Sequence, residues 1–557
     1  MNPSKSIATR SIVSTSIGKQ PSTPAHRYLA LAIASALSIG LYCPRAHAQS
    51  PSVLRLSQLN GNNGVSILGE AAGGQAGRSV SAAGDINGDG LDDLVIGAPF
   101  SDVAASNSGI SYVLFGSQKP LAHPFELATV NGLNGFVLRG IQSNDGSGFS
   151  VSEAGDINAD GIDDLLIGAP QTNGQLIGEA YAFFGSNSGL PNPFDLINLN
   201  GLNGVVLTGE DATDYAGFTV SIAGDINGDG IDDVIIGAPS SSAGGGASGI
   251  SYVVFGSSGA WTNPLALSGL DGSNGFALLG STGDQSAYSV SAAGDVNGDG
   301  FDDLIIGSPY AAADESGGAY LVFGSGQPFP VAVQLGGING VNGLFLVGED
   351  PLSLTGHSVS GAGDINSDGV DDLIIGAWKS NLNGFDSGRA YVVFGSNSSL
   401  PHPFQLSSLN GLNGFWIDGQ GKSERLGFSV SGIGDFNGDG VDDIAVGAPT
   451  FGGERPNPNS SGRSYVIFGS DQGLPNPFQL ASLDGSNGFA LQGFETNERS
   501  GFSVAGTGDV NGDGFDDLLI GAPYADDTVS GRVYLVYGGV SNIDVLFADR
   551  FAIGSPP

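Results

Sequence analysis

Seven times the chain repeats a nine-residue string of the form Asp-x-Asn-x-Asp-Gly-x-Asp-Asp, opening at Asp85, Asp156, Asp225, Asp295, Asp364, Asp435 and Asp509. Oxygen-bearing side chains at positions 1, 3, 5 and 9 around a glycine at position 6 describe a loop for a hard cation. Calcium is such an ion: it takes about six to eight oxygen ligands, and a glycine lets the backbone fold tightly around it. The side-chain donors expected are Asp85, Asn87, Asp89 and Asp93 in the first loop, Asp156, Asn158, Asp160 and Asp164 in the second, and Asp225, Asn227, Asp229 and Asp233 in the third. The fourth supplies Asp295, Asn297, Asp299 and Asp303; the fifth Asp364, Asn366, Asp368 and Asp372; the sixth Asp435, Asn437, Asp439 and Asp443; the seventh Asp509, Asn511, Asp513 and Asp517. The carbonyl at position 7, Leu91 in the first loop, adds one more oxygen. An EF-hand needs a carboxylate at position 12, where the first loop has Ile96, so the pattern reads as a strand-to-strand hairpin instead. A metal-free Asp/Asn/Gly turn is the alternative, but four Asp within nine residues repel one another without a cation. Position 8 is Asp in every copy and is not counted as a ligand. Up to seven structural Ca2+ ions are expected.

The loops account for much of the composition. They hold 28 of the 56 acidic residues, in a chain whose formal net charge is −38. Seven bound calcium ions would offset 14 of those charges, so the acidity reads as a calcium requirement rather than mimicry of nucleic acid, and no nucleic-acid partner is expected. At the N-terminus, Lys5, Arg10, Lys19 and Arg27 precede an apolar run from Tyr28 to Tyr42, and Ala46-His47-Ala48 supplies a small-x-small cleavage pattern. Residues 1–48 therefore read as a signal peptide and the mature chain as secreted or cell-surface, with no transmembrane span. Cys43 is the single cysteine and would leave with that segment, so disulfides cannot support the fold.

The loops recur every 69–74 residues, and each period carries four apolar stretches. These are Gly-Phe-x-Leu-x-Gly (Gly135 to Gly140), Gly-Phe-Ser-Val-Ser (Gly148 to Ser152), Asp-Leu-Leu-Ile-Gly-Ala-Pro (Asp164 to Pro170) and Tyr-x-x-Phe-Gly (Tyr252 to Gly256). Each is short, rich in Val, Ile, Phe and Tyr, and bounded by Gly, Asn, Asp or Pro, and no segment after residue 50 shows sustained helical periodicity. Four strands per unit and seven units predict an all-β, seven-bladed β-propeller of four-stranded antiparallel blades over residues 49–540. The first Gly-Phe-x-Leu-like stretch, Gly64 to Gly69, precedes the first Asp loop, and none follows Tyr534 to Tyr537. Val65 to Leu68 is therefore expected to complete the seventh blade and close the ring. Residues 541–557 depart from the repeat and form a C-terminal tail.

Gly-Phe-Ser-Val, the Asp loop and Gly-Ala-Pro, in that order, resemble the FG-GAP repeats of integrin α-subunit propellers. The resemblance spans about residues 53 to 540 and implies a calcium ion in the hairpin between the first two strands of each blade. One departure stands out. In the family an aromatic precedes the glycine; here a mostly small residue does, and the aromatic follows, at Phe149, Phe218, Tyr288, Phe428 and Phe502, with Arg78 and His357 as exceptions. The fifth unit also reads Gly376-Ala377-Trp378 in place of Gly-Ala-Pro, and the fourth reads Gly307-Ser308-Pro309.

Catalytic candidates are scarce. His123 and His402 sit in matching His-Pro-Phe turns, and Gly356-His357-Ser358-Val359-Ser360 lacks the second glycine of a nucleophile elbow. No catalytic site is expected. Binding is favoured instead, on the face away from the calcium hairpins, where the loops after Gly-Ala-Pro and after Gly-Phe-x-Leu-x-Gly differ most between units. Lys379, Arg389, Lys422, Arg425, Arg455, Arg463, Arg499 and Arg532 all fall in or beside those loops in blades five to seven. With Trp378, Phe385 and Phe451 they suggest a basic-aromatic patch for an extracellular protein or acidic glycan. Trp378, Lys379, Lys422, Arg425, Arg455 and Arg499 are its main candidates; the alternative is that these cations balance local carboxylates such as Glu424, Glu454 and Glu498. The function expected is an extracellular adhesion or ligand-binding module. The alternatives are a polysaccharide-degrading lyase or hydrolase on a calcium propeller, and a purely structural surface or matrix protein.

Overall fold

The structure is a computed structural model and describes residues 53–172, 176–312, 314–451 and 460–539. The expected signal segment and tail, and Arg455, lie outside the described residues. Among the described residues the elements are strands and single 3-10 turns, gathered into seven sheets that form the expected propeller. The first blade runs outward from Ser79–Gly84 through Asp93–Ala98 and Ile110–Leu114 to Gly135–Arg139, each pair antiparallel. The other six repeat that order.

Burial explains the sequence of each strand. The second strand is sandwiched between neighbouring blades on both faces, so all six residues of Asp164–Ala169 are buried and the stretch reads as one continuous apolar run. Outer strands such as Gly135–Arg139 alternate more, with Val137 and Arg139 part-exposed. The core lies between blades rather than within them. One cluster packs Leu94, Ile96 and Tyr112 of the first blade against Leu519, Val533 and Leu535 of the seventh.

Two features complete the sheets. The Pro-Phe-x-Leu segment, which joins strands three and four, adds a short parallel fifth strand to the preceding blade. Phe194–Asp195 of the second blade's connection pairs with Leu138 and Arg139 of the first, covering its outer edge. The fifth blade has only four strands; its outer strand meets Phe478 through a single bridge at Ile417. Ring closure follows the expectation and doubles it. Gly64–Leu68 pairs antiparallel with Arg532–Val536 as the seventh blade's fourth strand. Just before it, Val53–Arg55 runs parallel to the sixth blade's outer strand as that blade's fifth.

Residues 53–68 thus bridge two blades, with Leu54, Val65 and Ile67 fully buried. Burial of such aliphatic side chains contributes roughly 1.5–3 kcal/mol each. Deleting residues 53–68 is expected to abolish the cooperative thermal transition of the whole ring in circular dichroism; an unchanged melting curve would sink this closure.

Candidate metal loops and the opposite face

Each Asp loop joins the first and second strands of its blade and is drawn tight by its own carboxylates. In the first loop, Asp85 accepts the backbone N–H of Asp89 through Oδ1 and of Gly90 through Oδ2, both at 2.8 Å. Asp89 Oδ1 accepts the N–H of Leu91 at 3.2 Å. Asp93, fully buried, accepts the N–H of Gly116 at 2.7 Å and the side-chain amide of Asn87 at 2.9 Å. The same bonds recur around Asp156, Asp295 and Asp364. Ala159 and Ser367 replace a glycine and take the same left-handed conformation, at φ 59° and 60°.

The donor chemistry fits a hard cation: three carboxylates, an amide able to turn its oxygen inward, and a hairpin carbonyl. The arrangement present is nevertheless one closed by N–H donors. Among the described residues no group of three or more His, Cys, Asp or Glu side chains converges on a common point.

Position 8 has a role that the sequence left open. Asp163 Oδ2 of the second blade accepts the backbone N–H of Asp85 in the first, at 2.7 Å. The bond repeats at every junction: Asp232 to Asp156, Asp302 to Asp225, Asp371 to Asp295, Asp442 to Asp364, Asp516 to Asp435, and across the closure Asp92 to Asp509. The residue before each loop is a glycine in the left-handed region, such as Gly84 at φ 58°, and a Cβ there would collide with the carboxylate of Asp163. Seven Gly-Asp clasps therefore hold the blades in register.

Burial, reinforced by nearby Asp89 and Asp85, pushes the Asp93 carboxyl up to about 8, and the position-9 carboxyls of the next five blades likewise.

The other end of the first strands carries a different ring. Phe149, Phe218, Tyr288, His357, Phe428 and Phe502 follow one another around the axis, with successive ring centroids 5.1, 5.2, 5.0, 4.9 and 4.9 Å apart. Arg78 closes the circle, its guanidinium 4.4 Å from the Phe149 centroid and 5.5 Å from that of Phe502. These side chains ring the mouth of an axial cavity of about 290 Å³, with Ser79, Ser150, Ser289, Ser358, Ser429 and Ser503 beneath them. His357 is held neutral, its imidazole pushed down to about 4 by burial. Ser358 Oγ accepts the N–H of Val430 at 3.1 Å, so that segment is a blade-to-blade contact, as its register implied.

The expected basic-aromatic patch is partly assembled. Trp378 lies 5.8 Å from His357 and 6.0 Å from Phe428, with Arg425 stacked over it at 4.7 Å and Lys379 at 5.4 Å. Lys422 is exposed, and Arg499 lies over Tyr524 at 4.3 Å. Three of the cations belong to the interior instead. Arg389 is buried and paired with Asp418 and Glu349, Arg532 is paired with Glu495, and Arg463 is fixed by Gln492 over Phe451. Glu424 and Glu498 accept the hydroxyls of Tyr465 and Tyr534 and anchor loop amides. His123 and His402 each accept the N–H of an adjacent outer strand, at Ser66 and Phe345, as turn residues.

The FG-GAP repeat family model matches residues 76–114, 149–182, 216–254, 286–322, 426–467 and 500–536. The chain is an FG-GAP repeat protein with an integrin-α-like β-propeller. Phosphatidylinositol-glycan-specific phospholipase D of Homo sapiens is 29% identical over 421 residues, covering 70% of this chain and 46% of that protein. Integrin alpha pat-2 of Caenorhabditis elegans is 32% identical over 42% of this chain and 18% of its own length. Integrin alpha-IIb of Mus musculus is 33% identical over 32% of this chain and 16% of its own length. The chain thus spans less than half the length of these relatives. The fifth unit, which carries Trp378, falls outside the six matched segments but builds the same kind of blade.

Two outcomes follow. Gly224→Ala, which would drive a Cβ into Asp302, is expected to cost roughly 1–3 kcal/mol in urea denaturation, the cost of a strained left-handed residue. In chelator, the position-9 carboxyls bind protons more tightly folded (about 8) than unfolded (3.8). The folded state then carries more protons between those values, so stability should fall as pH rises from about 4 to 8. Urea midpoints at several pH values check the sign.

Proposed function

We infer that this chain is a secreted, calcium-loaded propeller acting as an extracellular binding module for an acidic glycan or a protein. The observation that carries the reading is the contrast between its two faces. One bears seven near-identical oxygen-rich loops; the other bears irregular loops on which Trp378, Lys379 and Arg425 gather beside the axial ring. Residues at positions 1, 3, 5 and 9 of each loop, with the position-7 carbonyl, would hold the ions. Bound calcium would offset the loop carboxylates and cross-link the hairpin. Its role is structural, because the loop side chains are tied into turns and blade junctions.

Cell-surface placement rests on the signal-like segment 1–48. Among the described residues no helix is long and apolar enough to cross a membrane. The name of the phospholipase relative keeps a catalytic alternative in play, and a depolymerase assay on acidic polysaccharides tests it.

Removing calcium is expected to lower the melting temperature markedly, since a site filled at one hundred times its dissociation constant adds about 2.7 kcal/mol. Unchanged melting in excess chelator would mean that the loops hold no metal. A glycan and protein array screened with and without calcium is expected to return a ligand whose binding is lost in the double variant Lys379→Glu/Arg425→Glu.

A further inference from the structure

The collar around Arg78 has a composition that packing alone does not explain. Five blades place an aromatic residue at this register and a sixth places neutral His357, and successive rings lie tilted against one another by 42–57° around the axis. The first blade places a guanidinium there, lying against Phe149, Phe502 and Phe100. Tyr524 accepts a hydrogen bond from it, and among the described residues no carboxylate pairs with it. An arginine without a carboxylate partner is notable in a chain with 56 acidic residues. It is also the single cation of the collar. Toward the loop end of the first strands the charge has the opposite sign: Glu153 feels the fields of Asp92, Asp163 and Asp232. The axial cavity itself is lined by the collar and by serine, threonine and valine side chains, with Arg78 as the charged group of its lining.

We propose that the mouth of this cavity is a binding site for a carboxylate-bearing sugar at the end of an acidic glycan, its carboxylate paired with Arg78 and its ring lodged among the aromatic side chains. The cavity of about 290 Å³ holds one such residue rather than a long segment. Arginine presents two parallel N–H donors matched to a carboxylate, and a water-poor aromatic surround strengthens that pair. A peptide is disfavoured by what the rim lacks. Its main-chain groups are already engaged between strands: Gly148 and Gly501 donate to Gly168 and Gly521, Val151 and Val220 to Ser79 and Ser150, and Ser429 and Ser503 donate to Gly501 and Gly77. A peptide backbone would find no ladder to join, whereas a sugar needs only apolar faces, hydroxyls and the guanidinium.

The site deepens the binding reading above and can fail separately from it. The test is a ligand-observed NMR titration of the full mature chain in calcium with glucuronate, glucose and the amide of N-acetylaspartate. Glucuronate is expected to bind, and glucose and the aspartate derivative to bind about tenfold more weakly or less. Arg78→Phe restores the residue type of the other blades, so its melting temperature should be equal or higher while glucuronate affinity falls about tenfold or more, the factor expected of one charge-assisted pair. Arg78→Gln, uncharged and still polar, should lose the same affinity and guards against a folding artefact. Undiminished glucuronate binding in both variants overturns the assignment, as does equal binding of the aspartate derivative. If glucuronate does not bind while the array returns a ligand lost in Lys379→Glu/Arg425→Glu, the collar is overturned and the binding module stands. If neither the titration nor the array returns a ligand, both readings fail.

Discussion

The junction between blades is where this structure is decided. A backbone N–H at the head of each Asp loop donates to the carboxylate of the next blade's eighth loop residue, over a glycine whose missing side chain lets that carboxylate approach. A buried backbone amide needs a partner, and a loop carboxylate needs donors, so each satisfies the other. Repeated around the circle and closed from Asp509 to Asp92, the contact sets the spacing between first strands. Everything near the axis inherits that spacing, including the serine hydroxyls that bond the next blade's valine amides and the collar above them.

The same arrangement sorts charge. Carboxylates concentrate at one end of the first strands, where position-9 groups are buried and position-8 groups are shared between blades. Most cations among the described residues lie at the other end, but they are not equivalent. Arg389 and Arg532 are neutralised by nearby carboxylates, including Glu349 and Glu495 in the connections that follow the preceding blades' outer strands, while Arg78, Lys379, Arg425 and Arg499 rest on aromatic rings. An arginine on an aromatic face keeps its charge. The fifth unit, the most divergent in its Gly-Ala-Trp motif, contributes Trp378 and lacks a ladder on its outer edge. Divergence in sequence and the gathering of aromatic and cationic side chains thus coincide in one blade.

Much of this was legible in the chain. Strand number, blade count, the hairpin position of the Asp loops and closure by Val65 to Leu68 follow from local periodicity, because a strand's burial pattern and a tight turn's glycines are written within a few residues. The Asx-type hydrogen bonds of the loops are equally local. Other contacts were not legible, since they join residues 57 to 426 positions apart: His123 to Ser66, the position-8 clasps, and Ser503 to Gly77 across the closure. The Pro-Phe-x-Leu segments looked like turns because a two-residue parallel strand carries no periodicity of its own.

The sequence by itself determined the repeat, the strands and the chemistry of the Asp loops, since each is specified within one unit of about seventy residues. Only the closed ring decided which residues face one another. Arg78, Phe149 and Phe502 are far apart in the chain, and Arg78 and Phe502 lie near its two ends; the ring sets all three around one cavity. It also decided which arginines are paired in the interior and which lie over aromatic rings, because partners such as Glu349 and Asp418 lie in different strands and loops. Local order is encoded in neighbouring residues, whereas a shared axis exists only when all seven blades are in place.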